Sequence, residues 1–225
     1  MTGFSTLLID LDQTIYPASS GIWEDVADRI HTFLETTLNL SPQEAVTRRE
    51  HYYKTYGTTL RGLQREAQVE PISFMEYIHD VPIETKIKDD PLLRDLLGSI
   101  NIPKYIFTNA SLGHAERVLS HLGLEECFDG IIDIIRLEYA NKPDPLAYKR
   151  ALQIVGEPEP GKCVLIDDSL MNLETGAHMG MTTVHVGSNH DHSFTPDYSI
   201  STIHQLLDVL PELKDHDGFS EDSNG

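Results

Sequence analysis

Asp10-Leu11-Asp12-Gln13-Thr14 directly follows the apolar run Leu7-Leu8-Ile9. Two carboxylates two positions apart at the end of a buried strand repel one another unless a cation or a proton lies between them. At the carboxyl edge of a parallel sheet they would face the crevice where open α/β sheets bind ligands. The chemistry such a pair serves is that of a metal-assisted carboxylate nucleophile; a solvated Asp-Leu-Asp turn is the plainer alternative. Three later clusters also fall at strand ends. In Tyr105-Ile106-Phe107-Thr108-Asn109, the Thr108 hydroxyl and the amides of Asn109 and Ala110 suit a phosphoryl oxygen near a helix start. In Asn141-Lys142-Pro143-Asp144-Pro145, two prolines stiffen the backbone that carries Lys142. A fixed ammonium beside a carboxylate keeps it ionised and offsets charge on phosphoryl oxygens. The fourth cluster, Val164-Leu165-Ile166-Asp167-Asp168-Ser169, again ends an apolar run in acids.

Each cluster has an ordinary counterpart: a strand-to-helix turn, an exposed lysine, a helix N-cap from Asp168 or Ser169. The N-cap accounts for only one of the two adjacent acids. Mg²⁺ accounts for both, because it takes oxygen ligands in octahedral geometry and keeps several waters.

The elements that must position these groups follow from periodicity. Phe4–Ile9 reads as a buried strand. Ile22, Val26, Ile30, Phe33, Leu34 and Leu38 give residues 22–40 a helical stripe. Ser41, Pro42 and Glu44 form the N-terminal signature of a second helix. Gly57 interrupts it, a third helical pattern runs Thr59–Gln68, and a fourth covers Ile72–Ile78 after Pro71. From Asp89 the pattern alternates. Helices are expected at Pro91–Leu97, Leu112–Leu122 (capped by Ser111, stopped by Gly123), Asp144–Val155, Leu170–Met179 and Ile203–Leu210. Strands are expected at Lys104–Phe107, Gly130–Ile134, Cys163–Ile166 and Met181–Val186. Alternating strands and helices imply a parallel sheet with right-handed crossovers. The fold class is therefore α/β, a Rossmann-like parallel sheet core interrupted by an all-helical block.

Composition sets the outer limits. At 225 residues the chain can bury one good core with a small inserted domain. Its 17 Lys and Arg against 36 Asp and Glu leave a net charge of −19, which argues against a nucleic-acid surface. Cys127 and Cys163 lack metal-ligand spacing and suggest no disulfide framework, so a reducing, cytoplasmic setting is expected, without excluding the nucleus. The start of the chain lacks a basic leader, and no apolar run approaches the ~20 residues of a membrane span. His185, His190 and His192 invite a second metal site, but His185 alternates with valines and the others lie in a polar loop, so none is assigned.

Together, in this order, the four clusters resemble the haloacid dehalogenase-like hydrolase superfamily: Asp10-x-Asp12-x-Thr14 matches its first motif, Thr108 its second, Lys142 its third and Asp167-Asp168 its fourth. The resemblance covers residues 1–16 and 88–210 as a catalytic core. It makes residues 17–87 a type-one helical cap, with 214–225 left as a disordered acidic tail. Within the superfamily, Asp-Leu-Asp-Gln-Thr-Ile-Tyr-Pro, the stretch Tyr56-Gly57-Thr58-Thr59-Leu60 and the ending Leu210-Pro211-Glu212-Leu213 look like the pyrimidine 5′-nucleotidase-like phosphatases.

The resemblance implies a Mg²⁺-dependent phosphomonoester hydrolase acting through an aspartyl-phosphate. Asp10 would be the nucleophile and Asp12 the general acid and base, while Thr108, Asn109 and Lys142 would hold the phosphoryl oxygens. Mg²⁺ would join Asp10, the backbone carbonyl of Asp12 and Asp168, with Asp167 bound through water; Thr14 would steady the first loop and Asn172 the metal shell. The expected partner is a small phosphorylated metabolite, a nucleoside monophosphate favoured, and Tyr56 in the helical block is a candidate to stack on a base. A phosphosugar mutase using the same intermediate, a dehalogenase, a receiver-type signalling domain and a non-catalytic scaffold are the alternatives. Oligomeric state is not legible.

Overall fold

The computed structural model describes residues 3–156, 159–188 and 193–214. Six strands form one sheet: β1 (Thr6–Ile9), β2 (Lys104–Phe107), β3 (Gly130–Ile132), β4 (Cys163–Asp167), β5 (Thr182–Val186) and β6 (Tyr198–Ile200). Every pairing is parallel, and the order is β3-β2-β1-β4-β5-β6. Because β1 is central, with β2 and β4 in register on either side, the sheet extends from it in both directions, the chain crossing over between β3 and β4. The carboxyl ends of β1 and β4 therefore meet at the switch point of a doubly wound sheet.

Alternation along β1 splits the interior. Leu7 and Ile9 pack into one buried cluster, while Leu8 joins another with Phe107, Tyr148 and Leu165 on the opposite face. All four β1 residues are buried, as expected of a central parallel strand covered on both faces.

Between β1 and β2 lie α1 (Ile22–Leu38), α2 (Pro42–Tyr56), α3 (Thr59–Glu66), α4 (Pro71–His79) and α5 (Pro91–Gly98). The first four make the helical insert. Ile22, Val26, Ile30 and Leu34 of α1 are buried at a spacing of four. Asn39, in the left-handed region at φ 53°, ends that helix. The Ser41–Glu44 capping box opens α2, and Thr58 caps α3. Phe33 meets Phe74 edge-on at 5.0 Å, locking α1 to α4. Gly62 lies against the Tyr52 ring, so α2 and α3 approach at a position where only a bare Cα fits.

After β2 come α6 (Leu112–Leu122), α7 (Pro145–Val155), α8 (Leu170–His178) and α9 (Leu206–Val209). Four details depart from the sequence reading. The strand at 130 stops at Ile132, because Asp133 turns inward and its carboxylate accepts the N–H groups of Leu112 (3.1 Å) and Arg136 (2.9 Å). Ser111 precedes α6 without a side-chain cap bond; its hydroxyl pairs with His79 Nδ1 at 3.0 Å. The final helix divides into a 3₁₀ turn, Ile203–Gln205, followed by α9. The sequence reading also missed β6, a three-residue edge strand. The tail beyond Lys214, and His190 and His192, lie outside the described residues. Both cysteines are free. No helix among the described residues is long and apolar enough to cross a membrane.

Candidate active site

Four strand ends deliver the clusters to one place. Asp10 follows β1, Thr108 follows β2, Lys142 lies in the loop after β3, and Asp167 ends β4. Lys142 is 1% exposed, and its Nζ donates to Asp10 Oδ1 and Asp167 Oδ2, both at 2.7 Å. The ammonium also lies 4.9 Å from the Phe107 ring centre. Burial opposes its charge, but Asp10 and Asp167 outweigh that and hold its pKa above the usual lysine range.

Asn109 holds the backbone of this lysine in addition to the flanking prolines. Asn109 Oδ1 accepts the Lys142 N–H at 2.8 Å, and Asn109 Nδ2 donates to the Lys142 carbonyl at 3.0 Å. A side-chain amide thus binds the loop on both sides of one residue. The Lys142–Pro143 peptide is cis.

The acids occupy distinct environments. Asp10 Oδ2 accepts from Thr14 Oγ1 at 3.2 Å, so each of its oxygens meets a donor. Burial raises its pKa to about 7, against the pull of Lys142, and Asp167 adds to the rise. Asp167 is fully buried and saturated: Asn172 Nδ2 reaches both oxygens (3.0 and 3.1 Å), and the Ser169 N–H reaches Oδ1 at 2.9 Å. The carboxylate of Asp168 accepts no hydrogen bond among the described residues, and burial with Asp167 beside it lifts its pKa to about 8. Asp10, Asp167 and Asp168 each place a carboxylate oxygen within 4.8 Å of the others, the one such cluster among the described residues. His185 Nε2, by contrast, pairs with the Asp168 backbone carbonyl at 3.1 Å.

Asp12 differs again. Burial would raise its pKa, but His114 Nε2 at 2.8 Å and the Tyr16 hydroxyl outweigh it and bring it down to about 2. Neither His114 nor Tyr16 was marked from the sequence. The signal was present: His114 falls on the apolar stripe of α6 with Ala115, Val118 and Leu122, and a polar residue on such a stripe requires a partner.

These groups floor a cavity of about 550 Å³ whose wall comes from the helical insert, including Trp23, Val26, Ile30, Phe74 and Arg49. Thr108, Asn109, Lys142, Asp10, Asp12 and Asp168 all line it. Two expectations need correction. The Ala110 amide, offered to a phosphoryl oxygen, is already bonded to Thr108 Oγ1 at 3.0 Å. Tyr56 is not among the residues lining this cavity, and its hydroxyl donates to Glu66 at 3.0 Å. Tyr53, three residues earlier on α2, lines the cavity instead.

Comparison with known proteins places the fold. The chain is 28% identical over 220 residues to Phosphate metabolism protein 8 of Saccharomyces cerevisiae, covering 92% of this chain and 68% of that protein. Among solved structures it is similar to the magnesium-bound HAD-hydrolase YfnB of Bacillus subtilis, with a TM-score of 0.62, 19% identity, and 92% and 99% of the two chains covered. It is also similar to L-2-haloacid dehalogenase of Xanthobacter autotrophicus, with a TM-score of 0.61, 10% identity, and coverage of 92% and 98%. At these identities the solved structures speak for the fold alone. The family model for haloacid dehalogenase-like hydrolases matches residues 4–180, a span that holds all four clusters of the site. With its sheet order, its four strand-end clusters and that match, the chain belongs to the haloacid dehalogenase-like hydrolase family.

Proposed function

We propose that this hydrolase cleaves phosphate monoesters through an aspartyl-phosphate on Asp10, with Mg²⁺ as cofactor. The observation that carries the reading is the Lys142 ammonium bridging Asp10 and Asp167 at 2.7 Å, with a second acid, Asp12, lining the same cavity. A dehalogenase needs no acid two positions after its nucleophile; a phosphatase needs one to protonate the leaving oxygen.

The residues present fit a divalent ion. Three carboxylates converge within 4.8 Å, and that of Asp168 has no hydrogen-bond donor among the described residues. Asp10, Asp168 and the Asp12 backbone carbonyl would hold Mg²⁺, with Asp167 supporting through water. When bound, Mg²⁺ supplies charge neutralisation between the nucleophile and the phosphate dianion.

The protein's own groups perform the rest. One oxygen of Asp10 bonds to phosphorus in line as the ester oxygen departs. Lys142 pulls the Asp10 pKa down against burial and so favours the ionised nucleophile, and Lys142, Thr108 and the Asn109 backbone N–H orient the phosphoryl oxygens. The Thr108 hydroxyl has a proton to donate, since among the described residues its oxygen takes only the Ala110 amide. Asp12 is a carboxylate in the free protein, and an incoming phosphate dianion raises its proton affinity. It gives a proton to the leaving oxygen, then takes one from the water that opens the acyl-phosphate. The helical insert, residues 17–87, acts as a cap that excludes water and selects the leaving group, while residues 1–16 and 88–210 form the catalytic core.

The substrate is read as a small phosphorylated metabolite, a nucleoside monophosphate favoured through the resemblance of the first motif and the Tyr56–Leu60 stretch to pyrimidine nucleotidases. Tyr53 replaces Tyr56 as the aromatic candidate for the base. A cytoplasmic setting goes with the two free cysteines. The test is phosphate release from UMP, CMP, sugar phosphates and p-nitrophenyl phosphate, with and without Mg²⁺, against Asp10→Asn. Release that needs both Mg²⁺ and Asp10 supports the reading. Isomerised product without free phosphate would make the protein a mutase, and silence on every ester would leave a scaffold.

A further inference from the structure

Asp12 is reached by two donors, and both meet the same oxygen. Nε2 of His114 lies 2.8 Å from Oδ1, and the Tyr16 hydroxyl bonds that atom as well. Oδ2 takes no hydrogen bond among the described residues, on a residue that lines the cavity.

The side chain of His114 is fully buried, and its other ring nitrogen, Nδ1, meets no partner among the described residues. An imidazole has therefore been buried with one nitrogen orphaned, for a single polar contact. A leucine would continue the stripe of Ala115, Val118 and Leu122 without leaving a polar atom unsatisfied. What the histidine adds to the structure is its bond to Asp12.

The ring is also clamped from the helical insert. His79, the last residue of α4, stacks on it with centroids 4.2 Å apart and planes 19° from parallel. Ser111 Oγ holds His79 Nδ1 at 3.0 Å, and Arg117 donates to the carbonyls of His79 and Val81, both at 2.9 Å. A chain of contacts thus runs from the insert, through two imidazoles, to the carboxylate beside the nucleophile.

We propose that His114 is a positioning residue for the acid–base carboxylate: by engaging Oδ1 of Asp12 it leaves Oδ2 to carry the proton to the leaving group, and His79 holds its ring in place. The inference rests on the phosphomonoester reading and deepens it. In the first half-reaction the bond from Asp10 to phosphorus forms, the bond from phosphorus to the ester oxygen breaks, and the proton on Oδ2 passes to that oxygen. In the second, the oxygen of water bonds phosphorus, Asp10 departs as carboxylate, and the proton from water returns to Oδ2. His114 stays bonded to Oδ1 throughout and gains or loses nothing.

The test compares kcat/KM for p-nitrophenyl phosphate, whose leaving group needs little protonation, with that for glycerol phosphate, whose alkoxide needs it fully. The enzymes are the wild type, His114→Leu, which removes the donor, and His114→Gln, whose amide nitrogen falls near the position of Nε2. The expected result is a loss in His114→Leu about 10²-fold larger on glycerol phosphate than on p-nitrophenyl phosphate, with His114→Gln recovering part of the difference. Should the leucine variant not fold, His114→Asn, whose amide falls short of Asp12, carries the same expectation. Equal losses on both esters would overturn the proposal while leaving the phosphatase reading intact. A wild type inactive on both would remove that reading and the proposal with it.

Discussion

Replacing Lys142 with methionine keeps the bulk of the side chain and deletes the charge that separates two buried acids. In the native site its Nζ lies 2.7 Å from both Asp10 and Asp167, with 1% of the residue exposed. Without it, carboxylates within 4.8 Å of one another are left with no ammonium between them. At an effective dielectric of about 20 their repulsion is about 3.5 kcal/mol. Breaking a buried ion pair from one side costs about 3–5 kcal/mol by a separate route, so the two figures agree. For a domain of this size that lowers the unfolding midpoint by about 10 °C. The assay is thermal unfolding by circular dichroism in EDTA at about pH 8, above the value of about 7 that Asp10 has in the wild type, where Lys142 pulls it down against burial. At about pH 5 protonation relieves the repulsion, so the deficit should shrink. A midpoint within about 2 °C of the wild type at the higher pH would refute the claim that this lysine is the cation the acids depend on.

Two further outcomes are expected. In metal-free protein, burial raises Asp10 to about 7, and burial with Asp167 raises Asp168 to about 8, so the folded state holds protons that the unfolded chain has released. Stability should then fall as pH rises from about 4 to about 8, where both groups are ionised in either state, by up to about 1.4 kcal/mol per pH unit for each proton held. Below about 6.5 His79 offsets part of this fall, because burial lowers it to about 3 and it stays neutral in the fold while the unfolded histidine charges, so the steepest part lies above about 6.5. Added Mg²⁺ should flatten the slope above about 6.5, and denaturant titrations across pH with and without the ion decide it; an unchanged slope would speak against carboxylate ligation. In the insert, Gly62→Ala would drive a methyl into the Tyr52 ring, costing about 1–3 kcal/mol by overpacking, read as a lower denaturation midpoint.

The strand and helix pattern was legible where the physics is local. Lys104–Phe107 and Leu112–Leu122 match the expected bounds because an apolar run, a glycine stop and a polar start mark them. Tyr198–Ile200 was missed because its three residues alternate around an exposed serine, and it forms only by adding to the edge of β5. The four site clusters were legible because acids, threonine and lysine stand out at the ends of apolar runs. The partners of His114, His79 and Tyr16 were not, since a sequence can mark a polar residue among apolar ones without showing what it meets. Asp12 and His114 are 102 positions apart, and only the parallel sheet brings α6 beside the end of β1. The exchange of Tyr53 for Tyr56 has a similar origin. The facing side of α2 is set by its packing against α1 and α3, and α2 carries only Ala45 and Tyr52 as buried markers.

The central claim is that Asp10 is the atom-transferring nucleophile. Asp12→Asn, supplied with Mg²⁺ and p-nitrophenyl phosphate and then acid-quenched, tests it most directly, because the good leaving group departs without an acid while hydrolysis of the intermediate lacks its base. Peptide mass mapping should find one phosphoryl group on the peptide bearing Asp10, removable by hydroxylamine. A burst of p-nitrophenol with no phosphoryl group there, or with one on any other side chain, would contradict the account.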